Sequence, residues 1–146
     1  MVSSDFEVYY YSDKNFTTLK PHAHDYYECY LFIEGDVTYS NDAKMRRLGV
    51  RKETLDTVGA VSEECAREMA EGTRKAAGTD FALSTTGYAG PDGGEPDKPV
   101  GTVFIALASA DGTTVKRLNL FGDRDRIRHS AMLNALDLLR RKLCTK

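Results

Sequence analysis

Residues 81–120 read FALSTTGYAGPDGGEPDKPVGTVFIALASADGTTVKRLNL, and the fold class follows from this stretch. Phe81 to Thr86 is a short apolar run with β-branched residues and predicts a buried strand. Val100 to Ser109 is more strongly β still. Asp111-Gly112 is a hairpin turn signal, and Thr114 to Leu120 returns as the partner strand. Between the first two strands, residues 87–99 hold four of the twelve glycines and three of the four prolines. That is a long, specifically turned loop. Glycines let the backbone approach a ligand and turn its N–H groups inward, and such amide nests bind anions, phosphate above all. Thr86 adds a hydroxyl at the entry. The loop is neither a P-loop nor a dinucleotide fingerprint, because it lacks the Gly-Lys-Ser/Thr ending and its glycine spacing is wrong.

Working outward, helices flank these strands. Asn41 caps a short helix over residues 42–48 that Gly49 ends. A second short helix fits residues 52–57. Ser62 caps a stronger helix with Glu63 and Glu64 in its first turn, where acids favour the positive end of the dipole. Cys65, Ala66, Met69, Ala70 and Thr73 fall on one face of it, and Gly78 supplies the stop. After the last strand, Asp123 opens the longest helix, with Ile127, Ala131, Ala135, Leu136, Leu138, Leu139 and Leu143 inward. Residues 30–39 (YLFIEGDVTY) read as a strand or hairpin turning near Glu34-Gly35-Asp36. The order from residue 30 is then β-α-α-α-β-β-β-α. An α/β domain with helices on both faces of a mixed sheet, three layers in all, is the natural solution.

Composition bounds the function. The chain has 146 residues, 41 % hydrophobic and 29 % charged, which fits one globular domain. A net charge of −2 offers no basic excess for a phosphate backbone, so nucleic-acid binding is not expected. No apolar run is long enough for a transmembrane helix, and no signal core opens the chain, so a cytoplasmic protein without membrane contact is expected. Three cysteines, Cys29, Cys65 and Cys144, form no C-x-x-C pair, which disfavours a disulfide framework or a zinc site. Cys65 is expected to be a buried small hydrophobe.

A second stretch is TYSNDAK, residues 38–44. Tyr39 and Lys44 bracket a strand-to-helix turn. A lysine in a sheltered, partly apolar pocket can lose its proton near neutral pH and serve as a base, which a serine nucleophile needs. Taken with YSNDAKMRRLGV, GAVSEECAREMAEG, TGYAGPDGGEPDKPVGTVFIAL and GDRDRIRHSAMLNALDLL, residues 32–146 resemble the C-terminal domain of the CinA (competence-damage-inducible) family. The resemblance implies a sheet of about five strands, a homo-oligomer, and no cofactor. It also implies hydrolysis of the carboxamide of nicotinamide mononucleotide to nicotinic acid mononucleotide and ammonia, a nicotinamide-nucleotide amidase activity in pyridine nucleotide recycling. Carried over by position, Lys44 is the candidate general base with Tyr39 beside it. Thr86, Gly87, Ala89, Gly90, Gly93 and Gly94 become pocket wall and phosphate or oxyanion contacts. Arg124 and Arg128 become phosphate partners, for which an arginine fork is suited.

The family's nucleophilic serine lies in a Glu-Ser-Cys-Thr-Gly-Gly type loop, and this sequence carries no such segment. Ser3, Ser4 and Ser12 stand in no Gly-rich turn, and Ser40 belongs to the YSN motif. Hydrolysis is therefore expected to be impaired. In its place, PHAHDYYECYLFIEG gives His22, His24 and Glu28 at an H-x-H-x3-E spacing that suits a divalent transition metal. Residues 1–35 resemble the cupin-like N-terminal part of AraC-type regulators. The second cupin motif is absent, so no metal is expected, with His22, His24 and Glu28 as the candidate ligands. The chain thus divides into a cupin-like strand segment, residues 1–31, in place of the family's first strand and helix, and a CinA-like domain, residues 32–146. Two further readings stand beside the amidohydrolase: a non-catalytic nucleotide-binding module, and a cupin-like metal- or effector-binding sensor fragment.

Overall fold

The computed structural model describes residues 29–32 and 41–144. Their order is β1 (Cys29–Phe32), α1 (Asn41–Leu48), α2 (Lys52–Thr57), α3 (Glu63–Ala77), β2 (Phe81–Gly87), β3 (Thr102–Ser109), β4 (Gly112–Asn119) and α4 (Arg124–Cys144). This is the element order the sequence predicts. The sheet runs β1-β2-β3-β4, with β1 parallel to β2 and the other pairs antiparallel. The sheet is therefore mixed, as expected. Four strands, not about five, lie among the described residues. Three of them are the antiparallel run read from residues 81–120, and the parallel pair is joined by the crossover that α1 to α3 supply.

The two faces of β3 explain the layers. Val103, Ile105 and Leu107 point to one face, with Phe81 and Leu83 of β2, and pack against Ile127, Ala131, Ala135 and Leu138 of α4. Phe104, Ala106 and Ala108 point to the other, against Ala66 and Ala70 of α3. Alternation of side chains across a strand makes this division. The alanines on both partners let α3 lie close to the sheet. A central strand covered on both faces reads as a continuous apolar run, which is what residues 102–108 show.

The helix signals act as read. Ser62 Oγ accepts from the Cys65 amide at 3.1 Å, and Gly78 ends α3 in the left-handed conformation at φ 69°. Asp123 Oδ1 accepts from the Arg126 amide at 2.8 Å and caps α4. Cys65 is fully buried, its Sγ 3.8 Å from Met69 Sδ. Asn41 is the first residue of α1 rather than its cap. Leu136 and Leu143, expected inward, are 40 % and 37 % exposed. With about 3.6 residues per turn, both fall roughly a third of a turn or more round α4 from the line that residues 127, 131, 135 and 138 form against the sheet, so they face away from it. Tyr39, His22, His24 and Glu28 lie outside the described residues.

Two joints hold the α1–α3 layer. Gly72 in mid-α3 lies so close to α1 that a Cβ there would stand 1.6 Å from the Leu48 carbonyl oxygen. Replacing a helical glycine by alanine ordinarily stabilises by about 1 kcal/mol, but forcing atoms into an occupied site costs about 1–3 kcal/mol. The clash with rigid backbone decides the sign. Gly72→Ala is expected to lower the melting temperature, and a rise in a thermal melt would show that α1 is not seated on α3 there.

At the second joint, Glu68 of α3 caps α2. Its carboxylate accepts from the Arg51 amide at 2.9 Å, Arg51 Nε at 2.6 Å and Thr54 Oγ1 at 2.8 Å. Burial pushes the Glu68 carboxyl up, but the hydrogen bonds from Arg51 and Thr54 and the Arg51 charge outweigh it, and the net shift is downward. A carboxyl lowered by folding stabilises fully above its ordinary value, about 4.5, and that stabilisation is lost as pH falls through the folded value. Urea unfolding across about pH 3 to 7 should therefore show a shallower acid loss in Glu68→Gln than in the wild type. Equal slopes would remove Glu68 from the acid response.

Candidate functional site

The strands β2 and β3 end at the Gly-rich loop, and their last residues tie its base. The Tyr88 amide donates to the Thr102 carbonyl at 3.0 Å, and the Gly101 amide to the Tyr88 carbonyl at 2.7 Å. At the tip, Glu95 and Lys98 exchange backbone hydrogen bonds of 2.9 and 3.0 Å. Tyr88 Oη donates to Glu95 Oε1 at 2.9 Å. Burial, and then this bond to Glu95, hold the Tyr88 phenol above its ordinary value, so it stays a donor.

One side chain of the loop reaches out, and side chains from two other elements reach in. Lys98 Nζ donates to the Val58 carbonyl at 3.1 Å, fastening the tip to the α2–α3 connection. Arg117 of β4 donates from Nη2 to the Asp97 carbonyl at 2.7 Å, while its guanidinium lies 5.8 Å over the Phe104 ring. Arg124 of α4 donates from Nη1 to the Gly90 carbonyl at 3.1 Å. Gly90 has φ 79°, and a Cβ on it would meet Val100 Cγ1 at 2.8 Å, so the turn needs glycine on both counts. Gly93 and Gly94 also have positive φ and are exposed, which leaves their amides at the surface.

The sequence-predicted residues fall on two sides of the sheet. Thr86 is on the α3 face and its hydroxyl donates to the Ala60 carbonyl at 2.7 Å, with 1 % of the residue exposed. Lys44 lies in α1, on that same α3 side, and is 4 % exposed. It is the one fully buried lysine or arginine among the described residues. Arg124 and Arg128 are one turn apart at the start of α4, on the opposite face, Arg128 being half-buried. The structure thus brings Arg124 to Gly90, and brings Thr86 to the GAVS connection at residues 59–62. Groups of three or more possible metal ligands do not occur among the described residues.

Electrostatics separates the same two sides. A cleft of about 560 Å³ opens between the α2–α3 connection and the loop tip, over Phe104, with Asp56, Glu63, Glu64, Glu95 and Asp97 around Lys98. These carboxylates repel a phosphate. Arg124 and Arg128 stand at the start of α4, on the other face of the sheet, with Asp125 between them. Lys98, Arg117 and Tyr88 were not singled out in the sequence. The Asp-Lys-Pro tip signals a turn there, but the partners of Lys98 and Arg117 are main-chain carbonyls far along the chain, which no local pattern marks.

Comparison with known proteins bears on this arrangement. Residues 29–143 match the family model described as CinA C-terminal domain. A putative competence-damage inducible protein of Clostridium perfringens is 58 % identical over 113 residues, 77 % of this chain and 27 % of that protein. A CinA-like protein of Kosmotoga olearia is 58 % identical over 113 residues, with the same shares. The crystal structure of competence damage-inducible protein A from Klebsiella pneumoniae is 43 % identical, covering 72 % of this chain and 65 % of that one, with a TM-score of 0.69. The chain therefore spans about a quarter of the length of the curated relatives it matches. Among the described residues, no helix is long and apolar enough to cross a membrane.

The Thr86 bond sets a test. Thr86→Val keeps shape but leaves the buried Ala60 carbonyl without its donor, which costs about 1–3 kcal/mol. The expected result is a clear drop in chemical-denaturation stability for Thr86→Val and near-recovery in Thr86→Ser. Full stability in Thr86→Val would mean that the hydroxyl is held free for a ligand.

Proposed function

The chain belongs to the CinA C-terminal domain family, and from that membership we propose that it is a pyridine-mononucleotide domain of amidohydrolase type, with impaired hydrolysis. Its ligand is nicotinamide mononucleotide, whose carboxamide is the bond at stake. The supporting observation is the burial of Lys44. This lysine, 4 % exposed in α1, lies in the motif that carries the general base in the family resemblance. A base of this kind takes the proton from an attacking hydroxyl or water.

The Gly-rich loop supplies main-chain amides near the ligand, and Arg128 is the phosphate partner on the α4 side. Thr86 shapes the wall through its bond to Ala60. The sequence offers no Glu-Ser-Cys-Thr-Gly-Gly type loop for a nucleophile. Nucleophile and base act as a unit, and in a serine protease losing the nucleophile alone costs about as much as losing the whole set, roughly a millionfold. Ser40 beside Lys44 is the one local replacement to test. The protein is further proposed to work in the cytoplasm, as a homo-oligomer and without a cofactor. The other reading, a nucleotide-binding module with no hydrolysis at all, is the limit of the same proposal.

Binding and chemistry are measured separately. Ligand at about a hundredfold excess over its Kd stabilises the fold by about 2.7 kcal/mol, so nicotinamide mononucleotide should raise the melting temperature and Arg128→Ala should blunt the rise. Ammonia release should stay far below the rate of about 1 s⁻¹ or more usual for enzymes. Any residual release should vanish in Lys44→Met and persist in Lys52→Ala. Absence of a thermal shift at any ligand concentration would end the mononucleotide reading. Turnover at ordinary enzyme rates would end the claim of impairment, and its loss in Ser40→Ala would name the nucleophile.

A further inference from the structure

The loop is held at three heights, and at two of them by cations that donate to main-chain carbonyls, Lys98 also lying 3.5 Å from the Glu95 carboxylate. Its base is closed by the amides of Tyr88 and Gly101. Its tip is held by Lys98 on Val58 and by Arg117, which grips the Asp97 carbonyl. The segment between, residues 89–94, carries three of the four glycines and is the part whose shape glycine leaves loosest. Arg124 ties this segment, through the Gly90 carbonyl, to the first turn of α4. Gly90 is buried against Val100, so its carbonyl is fixed in place for the guanidinium to find. α4 itself is anchored by Ile127, Ala131, Ala135 and Leu138 on the sheet. The chain of contacts therefore runs from the core, through α4 and Arg124, to the backbone at Gly90.

A guanidinium has its donors in a rigid fork, so one donated to Gly90 fixes the direction of the rest. We propose that Arg124 is a positioning residue: it acts on the ligand through the Gly90 carbonyl, by holding residues 89–94 in the binding shape, and is not a phosphate ligand. This deepens the mononucleotide reading and rests on it for the ligand, though not for the loop. The two roles differ in a measurable way. A residue that sets the fraction of competent loop changes the affinity of every ligand the loop touches by the same factor. A residue that contacts phosphate changes only the phosphorylated ligand.

The experiment compares the full chain with Arg124→Ala, Arg124→Lys and Arg128→Ala. Affinities are measured for nicotinamide mononucleotide and for nicotinamide riboside, the same ligand without phosphate, alongside amide hydrogen exchange of residues 88–95 without ligand. Arg124→Ala should weaken both ligands by an equal factor of about ten, as when the competent loop falls to about a tenth of the population. It should speed exchange in residues 88–95 while leaving α4 beyond Ile127 protected. Arg124→Lys, which keeps a donor for the carbonyl, should recover most of both effects. Arg128→Ala should weaken the mononucleotide alone and leave loop exchange unchanged.

Loss of mononucleotide affinity with riboside affinity intact in Arg124→Ala would overturn the proposal, as would unchanged loop exchange. If the wild type binds neither ligand, the mononucleotide reading fails, and the exchange comparison alone decides whether Arg124 positions the loop. Should Arg124→Ala melt below the working temperature, Arg124→Lys carries the same comparison with a smaller expected change.

Discussion

The burial of β3 on both faces is the constraint from which the remaining architecture follows. A strand covered on two sides needs two partners of different depth. Residues 103, 105 and 107 are bulky and take the apolar stripe of α4. Residues 104, 106 and 108 include two alanines and admit α3 at close range, itself lined by Ala66 and Ala70. Small residues continue outward, since α1 reaches α3 over Gly72. Each layer is thus spaced by side-chain size in the layer beneath. The loop between β2 and β3 inherits its place from the same strand, because its base is closed by hydrogen bonds at Tyr88, Gly101 and Thr102.

The charges are arranged to the same plan. Acids gather where α3 begins and around the loop tip, and arginines gather where α4 begins. A phosphate ligand of the proposed kind would be repelled on the acidic side and would meet Arg128 on the other. Lys98, Arg117 and Arg124 each donate to a backbone carbonyl, a use that ties loop backbone to its surroundings whatever side chains stand there. Preorganised backbone lowers the ordering cost of binding. A loop rich in glycine would otherwise carry that cost in full.

Much of this was legible in the sequence, and the reasons are specific. The order of elements along the chain, the caps at Ser62 and Asp123, the stop at Gly78 and the buried face of α3 each have a short-range signal in neighbouring residues. The buried state of Cys65 followed from the same helical spacing. Leu136 and Leu143 misled because α4 carries apolar residues on more than one side, and the sequence does not mark which of them the sheet covers. The ties at Lys98, Arg117 and Arg124 were hidden for another reason. Their acceptors are carbonyls of Val58, Asp97 and Gly90, and a carbonyl has no residue identity for a sequence to display. Arg124 was legible as a cation near the site, while its target was not. Thr86 was legible as a loop-entry hydroxyl, but its partner at Ala60 belongs to a connection that only the packing of α3 brings near.

In the proposed reading, binding and hydrolysis draw on different parts of this chain, so the first is expected to survive loss of the second. The loop, its three cations, the strands that close it and the helix that braces it fall mostly within residues 81–144, one contiguous run with its own half of the core. Lys44 belongs to α1, and a nucleophile in the family's arrangement would come from earlier in the chain. On that reading, a change confined to residues before β1 would bear on the attacking group and leave the loop's contacts at Val58, Asp97 and Gly90 in place. The cost falls on catalysis, where the loss of one member of a coupled set is nearly the loss of all. Binding loses only the contacts that the missing segment itself would make. On the proposed reading, the pocket would be set by β2, β3 and α4, and the remaining chemistry would be what Lys44 can draw from water or from a hydroxyl near it in the sequence.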